Sequence, residues 1–406
     1  MAVPKLRFKD FDQDWTGLKI KDLVKSLDAG VSVNSEEVEP QEYEYSVLKT
    51  SCISSGYFDE NERKRVLQDG EIQRLKEPVL DDSILMSRMN TPLLVGMNAY
   101  VFKAPKNTFL PDRLWQLKID NNKTVTRWLA FYLGSDQGLN QIRDLASGTS
   151  NSMKNITKPD VLNIDLFAPQ KEEQTKIASF LSNVDEKISQ LTQKHALLSQ
   201  YKQGMMQKLF SQQLRFKADD GSEFGEWEDK KLGEISKTFS GGTPQSSNKS
   251  FYEGTIPFIK SGEISKNTTE QCINDLALEK SSAKLVKKGD LLYALYGATS
   301  GQVAISQIDG AINQAVLCIR SELNTKYLLN FLLLKKEEIL TTYLQGGQGN
   351  LSASILKEIY IPTPCLAEQT KIANFLSAID QKIEVVAQQI EQAKTWKKGL
   401  LQQMFI

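Results

Sequence analysis

The sequence predicts an α/β (α+β) fold in which two pseudo-symmetric domains are joined by two long helices that form an antiparallel coiled coil. The main observation is a long repeat, because EQTKIASFL at residue 173 returns as EQTKIANFL at residue 368. The spacing stays constant to the end of the repeat, since 368 − 173 and 405 − 210 are both 195. A repeat of this length indicates a duplicated structural unit.

Each copy of the repeat carries the heptad pattern of a coiled coil, with apolar residues at alternating steps of three and four. Neither copy contains a proline, so each is expected to form one uninterrupted helix. The first seam comprises Ile177, Leu181, Val184, Ile188, Leu191, His195, Leu198, Lys202, Met205 and Leu209. The second comprises Ile372, Leu376, Ile379, Ile383, Val386, Ile390, Ala393, Lys397, Leu400 and Met404.

A shorter motif shows that the repeat extends beyond the helices. The triplet LRF precedes Trp15 near the start of the chain and precedes Trp227 after the first long helix. An apolar residue follows each tryptophan at the same distance, since 20 − 15 and 232 − 227 are both 5. The N-terminal segment is therefore expected to lie beside the end of the second helix, which brings the two chain termini together.

The predicted order is a domain at 1–170, a helix at 171–211, a domain at 212–365 and a helix at 366–406. The first helix carries the chain from one domain to the next. The second helix buries its seam most simply by running back along the first, which gives an antiparallel coiled coil. In the alternative, each helix packs only on its own domain. An apolar seam sustained over five heptads in both copies argues against that arrangement.

Both domains read as mixed α/β stretches whose elements follow the same order. A short apolar strand leads into a polar turn at Lys49 in the first domain and at Lys260 in the second. Each domain ends with a loop rich in Gly, Ser and Asn, at 148–151 and 346–350, followed by a short strand. The chain is thus predicted to be a duplication whose two domains have diverged.

Composition narrows the setting of the protein. Its 406 residues include 50 basic and 50 acidic side chains, so the net charge does not indicate a nucleic-acid partner. The four cysteines are scattered and the chain has one histidine, which disfavours a zinc site and a disulfide framework. The sequence offers no signal peptide and no apolar run of membrane-spanning length, so we expect a cytoplasmic protein.

Motifs for catalysis are missing from the sequence. It has no phosphate-binding loop, no glycine-rich dinucleotide fingerprint and no paired histidines for zinc. Asp59, Glu62 and Lys64 have the composition of a nuclease site, but charged loops commonly look the same. His195 is more easily explained as a polar seam residue than as a general base. We predict no catalytic residues, no metal and no bound cofactor.

Polar turns at matched places in the two domains predict a DNA-binding surface. Lys, Arg, Ser, Thr and Asn side chains on turns bind phosphates and base edges. The candidate DNA-binding residues are Lys49, Thr50, Ser51, Arg88, Asn90, Thr91, Lys260, Ser261, Glu263, Tyr296, Thr299 and Ser300.

The two EQTKIA helices, each followed by an LSxxDxKI phrase, resemble the specificity (S) subunit of type I restriction–modification systems. The opening of the second domain, FSGGTPQSSNKSFYEGTIPFIKSGEI, is similar to a common start of that family's target-recognition domains. The resemblance covers essentially the whole chain. It is weaker in the first domain, which lacks the GGTP phrase, and this departure bears on the target sequence.

This resemblance implies a non-catalytic DNA reader in which each target-recognition domain reads one half of a bipartite, asymmetric site. Two methyltransferase subunits and one or two restriction subunits would join it, with the helices docking the former and setting the half-site spacing. S-adenosylmethionine, ATP and magnesium would then be bound by the partners. The predicted coiled-coil and partner-binding residues are Glu173, Gln174, Ile177, Leu181, Ile188, Glu368, Gln369, Ile372, Leu376 and Ile383.

Two other function classes stay open on the sequence alone. One is a self-sufficient DNA nuclease or adenine methyltransferase with its own active site. The other is a coiled-coil scaffold with no role on DNA. Modification of DNA by the purified chain would favour the first, and absence of salt-dependent DNA binding would favour the second.

Overall fold

The computed structural model describes residues 3–148, 152–343 and 351–406. The chain divides into two compact units. Unit 1 comprises Met1–Leu191 and Gln389–Ile406, and unit 2 comprises Thr192–Gln388. The two long helices each contribute residues to both units, so each unit contains the start of one helix and the end of the other.

Unit 1 is a mixed α/β unit built on short strands. Its strands are β1 Thr16–Lys19, β2 Val24–Ala29, β3 Tyr45–Leu48, β4 Arg63–Val66, β5 Ser83–Ser87, β6 Met89–Asn90, β7 Asn98–Val101, β8 Thr108–Phe109, β9 Leu114–Ile119, β10 Lys154–Asn155 and β11 Asp165–Ala168. Its helices are α1 Ile20–Leu23, α2 Asp69–Ile72, α3 Thr126–Leu133, α4 Asp136–Asp144, α5 Lys158–Leu162 and the start of α6 Lys171–Phe210.

Unit 2 contains the remaining elements. Its strands are β12 Glu228–Lys231, β13 Ser236–Ser240, β14 Ile256–Ile259, β15 Cys272–Ile273, β16 Lys284–Val286, β17 Leu291–Ala294, β18 Val303–Ile305, β19 Gly310–Ile312, β20 Val316–Ser321 and β21 Tyr360–Thr363. Its helices are α7 Asp275–Glu279, α8 Thr325–Leu334, α9 Lys336–Tyr343, α10 Ala353–Lys357 and the start of α11 Leu366–Met404.

The two units share one sheet topology despite their different sequences. A four-stranded antiparallel sheet has the order β2-β9-β5-β7 in unit 1 and β13-β20-β17-β18 in unit 2. A second sheet, three-stranded in unit 1 and four-stranded in unit 2, joins two strands in parallel, β3 with β8 and β14 with β19. The first and last strands of each domain also pair, β1 with β11 and β12 with β21. The predicted duplication and the predicted α/β class are therefore confirmed.

In each unit, aromatic side chains of a short helix pack against a phenylalanine at the end of a long helix. Trp128 and Tyr132 on α3 contact Phe405 just after α11, with ring centroids 6.0 and 5.9 Å apart. Tyr327 and Phe331 on α8 make the matching contacts with Phe210 at the end of α6, at 5.2 and 5.4 Å. Burial of such rings is a main source of folding free energy, so the end of each long helix is an integral part of a unit's core.

The helix segments in each unit run antiparallel, and one type of ion pair marks their register. In unit 1, Lys397 Nζ lies 2.6 Å from a carboxylate oxygen of Asp185. In unit 2, Lys202 Nζ lies 2.7 Å from a carboxylate oxygen of Asp380. The residue numbers sum to 582 in both pairs (185 + 397 and 202 + 380), as an antiparallel alignment requires. Both seam lysines are thus structural.

A buried carboxylate fixes the start of each long helix. Glu173 is 1% exposed and accepts hydrogen bonds from Arg7 Nε and Nη2, both at 2.8 Å. Glu368 is 0% exposed and accepts from Arg215 Nε at 3.1 Å and Nη2 at 2.9 Å, and from Trp227 Nε1 at 2.9 Å. The repeated LRF segment therefore supplies the arginine that pairs with the buried glutamate at the start of each long helix.

The neighbouring glutamine completes the junction by binding the backbone of the domain. Gln174 Oε1 accepts from Val125 N at 2.8 Å, while its Nε2 donates to Pro169 O at 2.9 Å. Gln369 does the same with Asn324 N and Pro364 O, both at 2.8 Å. These backbone groups would otherwise be buried without a partner, which is energetically costly.

The N-terminal segment lies against the end of α11, as the repeat predicts. Leu6 N donates a hydrogen bond to Gln403 O at 2.9 Å. The expected proximity of the two ends of the chain is therefore confirmed. Within the described ranges, no helix has the length and apolarity needed to cross a bilayer.

A circular permutant should test this closure. Joining the natural ends with a short linker and opening the chain within 212–220 is expected to preserve folding, because that connection matches the natural break between repeats. Opening the chain instead inside the buried strand β5 should abolish folding. Cooperative thermal unfolding by circular dichroism distinguishes the two, and a permutant at 212–220 that lacks a cooperative transition would contradict the closure.

The buried ion pair of unit 2 should dominate the stability of that junction. Glu368→Gln leaves the largely buried Arg215 without its anionic partner and is expected to cost about 3 kcal/mol of unfolding free energy. Asp219→Asn is the control, since Asp219 pairs with Lys371 near the same helix start but is 96% exposed. Equal unfolding midpoints for the two variants in urea would show that the buried pair is dispensable.

Candidate nucleic-acid interface

Each predicted lysine turn follows a strand that pairs in parallel within the second sheet of its unit, β3 or β14. Lys49 follows β3 and precedes a 3₁₀ helix at Thr50–Ile53. Lys260 follows β14 and precedes a 3₁₀ helix at Ser261–Glu263. The two lysines are equivalent by position in the fold, and their numbers differ by 211 (260 − 49).

A glycine in each unit lets a second segment approach the end of the strand that pairs beside this turn, β8 in unit 1 and β19 in unit 2. A Cβ atom on Gly30 would lie 1.7 Å from Leu110 O, and one on Gly241 would lie 1.7 Å from Ile312 O. No side chain fits at that distance, so both positions require glycine. The glycine numbers also differ by 211 (241 − 30), which extends the equivalence found for the lysines.

A cleft recurs beside the lysine turn in both units. Ser32 and Ser35 line it in unit 1, and Thr243 and Ser246 line it in unit 2 at the same offset. The turn lysine, Lys49 or Lys260, also lines it. Further lining residues are Glu37, Lys64 and Arg113 in unit 1, and Lys249, Gln271 and Asn313 in unit 2.

The cleft of unit 1 contains a carboxylate between two lysines. Lys49 Nζ lies 3.2 Å from one oxygen of Glu37, and Lys64 Nζ contacts the other. These two ammonium groups, Lys64 first, lower the pKa of Glu37 below its ordinary value. Ser51 donates its hydroxyl hydrogen to Glu62. The lysines of this cleft are therefore partly neutralised by its own acids.

The cleft of unit 2 is more cationic. Lys249 and Lys260 form no ion pair within the described part of the chain. Thr243 donates to Gln314 Oε1 at 2.6 Å, and Tyr296 donates to Gln314 O at 2.6 Å. These bonds attach the turn after β17 to the cleft wall, so Tyr296 belongs to the same surface as Lys260.

Arg88 borders a neighbouring cleft of unit 1 rather than the lysine cleft itself. Its Nε donates to Asp112 O at 2.8 Å, and Asp112 lines both clefts. Asn90 lies on β6, which pairs with β10, and its Oδ1 accepts from Thr91 N at 2.9 Å. The structure thus places Lys49, Thr50 and Ser51 on one cleft and Arg88 on an adjoining one, while Asn90 and Thr91 line neither.

Glu263 differs from the expectation that it contacts DNA. It is 5% exposed, and its carboxylate accepts from Lys260 N at 3.1 Å and Glu270 N at 2.8 Å. Both oxygens are engaged with the backbone and the side chain is buried, so Glu263 holds the lysine turn in shape and is not accessible to a DNA ligand. Ser300 is likewise turned inward and donates to Leu295 O at 3.0 Å.

The other predicted turn residues keep accessible positions. Ser51 and Thr91 are exposed, while Thr50, Ser261 and Thr299 are partly exposed. The loops at 149–151 and 346–350, also singled out by their Gly, Ser and Asn content, lie outside the described residues. Sequence reasoning missed Ser35, Glu37, Arg113 and Asn313, because only the fold brings these distant segments to the cleft.

The predicted coiled-coil and partner-binding residues lie inside the units. Glu173, Gln174, Glu368 and Gln369 are at most 2% exposed and are fully engaged within the chain. Ile177, Leu181, Ile188, Ile372 and Leu376 are buried, and Ile383 is partly buried. The apolar side chains pack in the cores of the units, and the four polar ones hold the helix starts to the domains, so a partner would contact the outward faces of the helices instead.

The carboxylates considered for catalysis are not assembled into a site. Asp59 accepts from Asn61 N at 3.0 Å, while Glu62 accepts from Ser51 and Lys64 contacts Glu37. Among the residues that the structure describes, no group of three His, Cys, Asp or Glu side chains is arranged to hold a metal ion.

Comparison with known proteins agrees with this organisation. The family described as "Type I restriction modification DNA specificity domain" matches residues 12–200 and 225–395. The chain is similar to the putative type I restriction enzyme MjaX specificity subunit of Methanocaldococcus jannaschii, with 25% identity over 98% of this chain and 94% of that protein. It is also similar to the EcoR124I/EcoR124II specificity subunit of Escherichia coli, with 24% identity over 64% of this chain and 65% of that protein.

Solved structures share the fold. The crystal structure of a type I restriction–modification S subunit from M. genitalium superposes with a TM-score of 0.59 at 19% identity, covering 100% of this chain and 99% of that one. A chain from a structural study of type I restriction–modification complex assembly and conformational transition superposes with a TM-score of 0.59 at 18% identity. The match covers 95% of this chain and 96% of that one.

Lys260, which forms no ion pair with a described residue, gives a direct test of the cleft. Lys260→Gln is expected to weaken binding of duplex DNA and to reduce the slope of log affinity against log salt by about one, since one phosphate contact is lost. Lys230→Gln is the control, because Lys230 lies on β12 outside the cleft and pairs with Glu228 at 2.9 Å. An unchanged salt slope in Lys260→Gln would exclude a phosphate contact there.

Proposed function

The chain belongs to the type I restriction modification DNA specificity domain family, and on this premise we propose that it is the DNA-recognition subunit of a type I restriction–modification complex. Each unit reads one half of a bipartite, asymmetric DNA site. The chain selects the sequence, and the chemistry takes place on partner subunits. It is a binding protein rather than an enzyme.

The observation that carries this function is the cleft found at equivalent positions in both units. Each cleft combines a lysine, which suits phosphate binding, with hydroxyl groups that suit base edges, and the cleft of unit 2 adds the amides of Gln271 and Asn313. The framework residues of the cleft are matched, as Gly30 and Gly241 illustrate, while the lining side chains differ. Two clefts with the same backbone framework and different side chains fit a DNA site whose two halves differ in sequence.

We propose that the outward faces of the helices dock two methyltransferase subunits and help to set the half-site spacing. Tyr201 and Trp396 occupy equivalent helix positions, since 396 − 201 is 195, and they are 52% and 54% exposed. Exposed aromatic side chains are enriched at protein interfaces. One such residue on each helix supports one docking site per repeat, and hence two copies of one partner.

The proposed complex also includes one or two restriction subunits. S-adenosylmethionine would be held by the methyltransferase subunits, and ATP with magnesium by the restriction subunits. The methyl group would be placed on adenine N6 within each half-site. Such a complex acts on chromosomal DNA, which is consistent with a cytoplasmic location.

Mapping of adenine methylation across the genome tests the proposal. Deleting the gene for this chain is expected to abolish methylation at one bipartite motif, and restoring the gene should restore it. The control is a strain that retains the chain but lacks the methyltransferase subunit, which should lose the same motif. A motif that persists without the chain would reject the proposed function, as would methylation of DNA by the purified chain alone.

A further inference from the structure

The cleft of unit 1 contains a carboxylate whose position is built into the sheet. Glu36 N donates to Arg65 O at 2.8 Å, and Arg65 N donates to Glu36 O at 3.2 Å, so the segment before β3 is fixed to β4. The next residue, Glu37, projects between Lys49 and Lys64. Its side chain is 65% exposed, so the fixed carboxylate faces solvent at the cleft.

The two lysines determine what this carboxylate can bind. Each contacts a different oxygen of Glu37, and their hydrogen bonds, that of Lys64 first, lower its pKa, so the group is ionised at neutral pH. An ionised carboxylate accepts hydrogen bonds and donates none. Each oxygen accepts about two hydrogen bonds, which leaves acceptor capacity beyond the lysine. The same lysines offset its repulsion from DNA phosphates.

The edges of the bases offer few partners to such a group. In the major groove the only amino donors are N4 of cytosine and N6 of adenine. Adenine also places the N7 acceptor beside its amino group, which disfavours a second carboxylate oxygen. Cytosine N4 is accordingly the usual partner of a glutamate on DNA.

We propose that Glu37 is a specificity-determining residue that reads the N4 amino group of one cytosine in the half-site bound by unit 1. This inference rests on the proposed function and adds to it a residue and a base. Lys49 and Lys64 orient the carboxylate and remain able to contact the flanking phosphates.

Unit 2 lacks this feature. The residue at the same offset of 211 is Asn248 (248 − 37), whose Oδ1 accepts from Ser250 Oγ at 2.7 Å. The described lining of its cleft includes Lys249 and Lys260 but no carboxylate. The cytosine requirement should therefore belong to one half-site only.

The test is methylation mapping with the full complex that contains Glu37→Gln. A glutamine amide both donates and accepts, and it pairs well with adenine N6 and N7. The variant is expected to lose preference for cytosine by about 10- to 100-fold at one position of one half-site and to accept adenine there. The other half-site should be unchanged.

Glu42→Gln is the matched control. Glu42 is also a surface carboxylate of unit 1 with a pKa lowered by a lysine, Lys106, whose Nζ lies 2.6 Å away, but it does not line the cleft. Its motif should equal that of the wild type.

Three outcomes would overturn the inference. The first is an unchanged motif in Glu37→Gln. The second is a uniform loss of methylation over all bases, which marks a charge effect on affinity alone. The third is a change of base preference that extends to both half-sites. A wild-type chain that directs no bipartite methylation would instead reject the proposed function itself.

Discussion

The structure depends on the buried carboxylate at the start of each long helix. A glutamate with 1% or 0% exposure is costly to bury unless its charge is paired and hydrogen-bonded. Arg7 pairs with Glu173 and Arg215 pairs with Glu368, and both arginines come from the short arm that precedes a domain. The adjoining glutamines bind the domain backbone. The LRF segment, the domain and the long helix are thus held together by one polar junction.

The two units share a fold but differ in the side chains that line their clefts. The helix starts, the close-approach glycines and the sheet order recur, and they involve backbone atoms or buried groups that tolerate little change. The cleft side chains stand on turns that are free of this constraint. One cleft holds Glu37 between lysines, and the other holds Lys249 and Lys260 without a carboxylate among its described lining. Specificity varies on turns, while the frame that positions them is kept.

Sequence reasoning succeeded where the signal is periodic or repeated. The helices, their antiparallel pairing and the closeness of the termini follow from a constant offset of 195 and from the LRF arm. It failed where a role depends on distant contacts. Glu263 looks like a base-reading side chain, yet the fold brings Glu270 N to it and makes it a turn brace. Glu37 carries no motif, and only the pairing of its segment with β4 places it beside Lys64.

The reciprocal ion pairs of the helices suggest a history for the chain. Unit 1 pairs an aspartate of α6 with a lysine of α11, and unit 2 pairs a lysine of α6 with an aspartate of α11. Residue i contacting j while j contacts i is the signature of an isologous interface between identical subunits. A polypeptide with one arm, one domain and one helix would satisfy both pairs as a homodimer and would read a palindrome. Fusion of two such genes would free each half to evolve separately, turning a symmetric target into an asymmetric one.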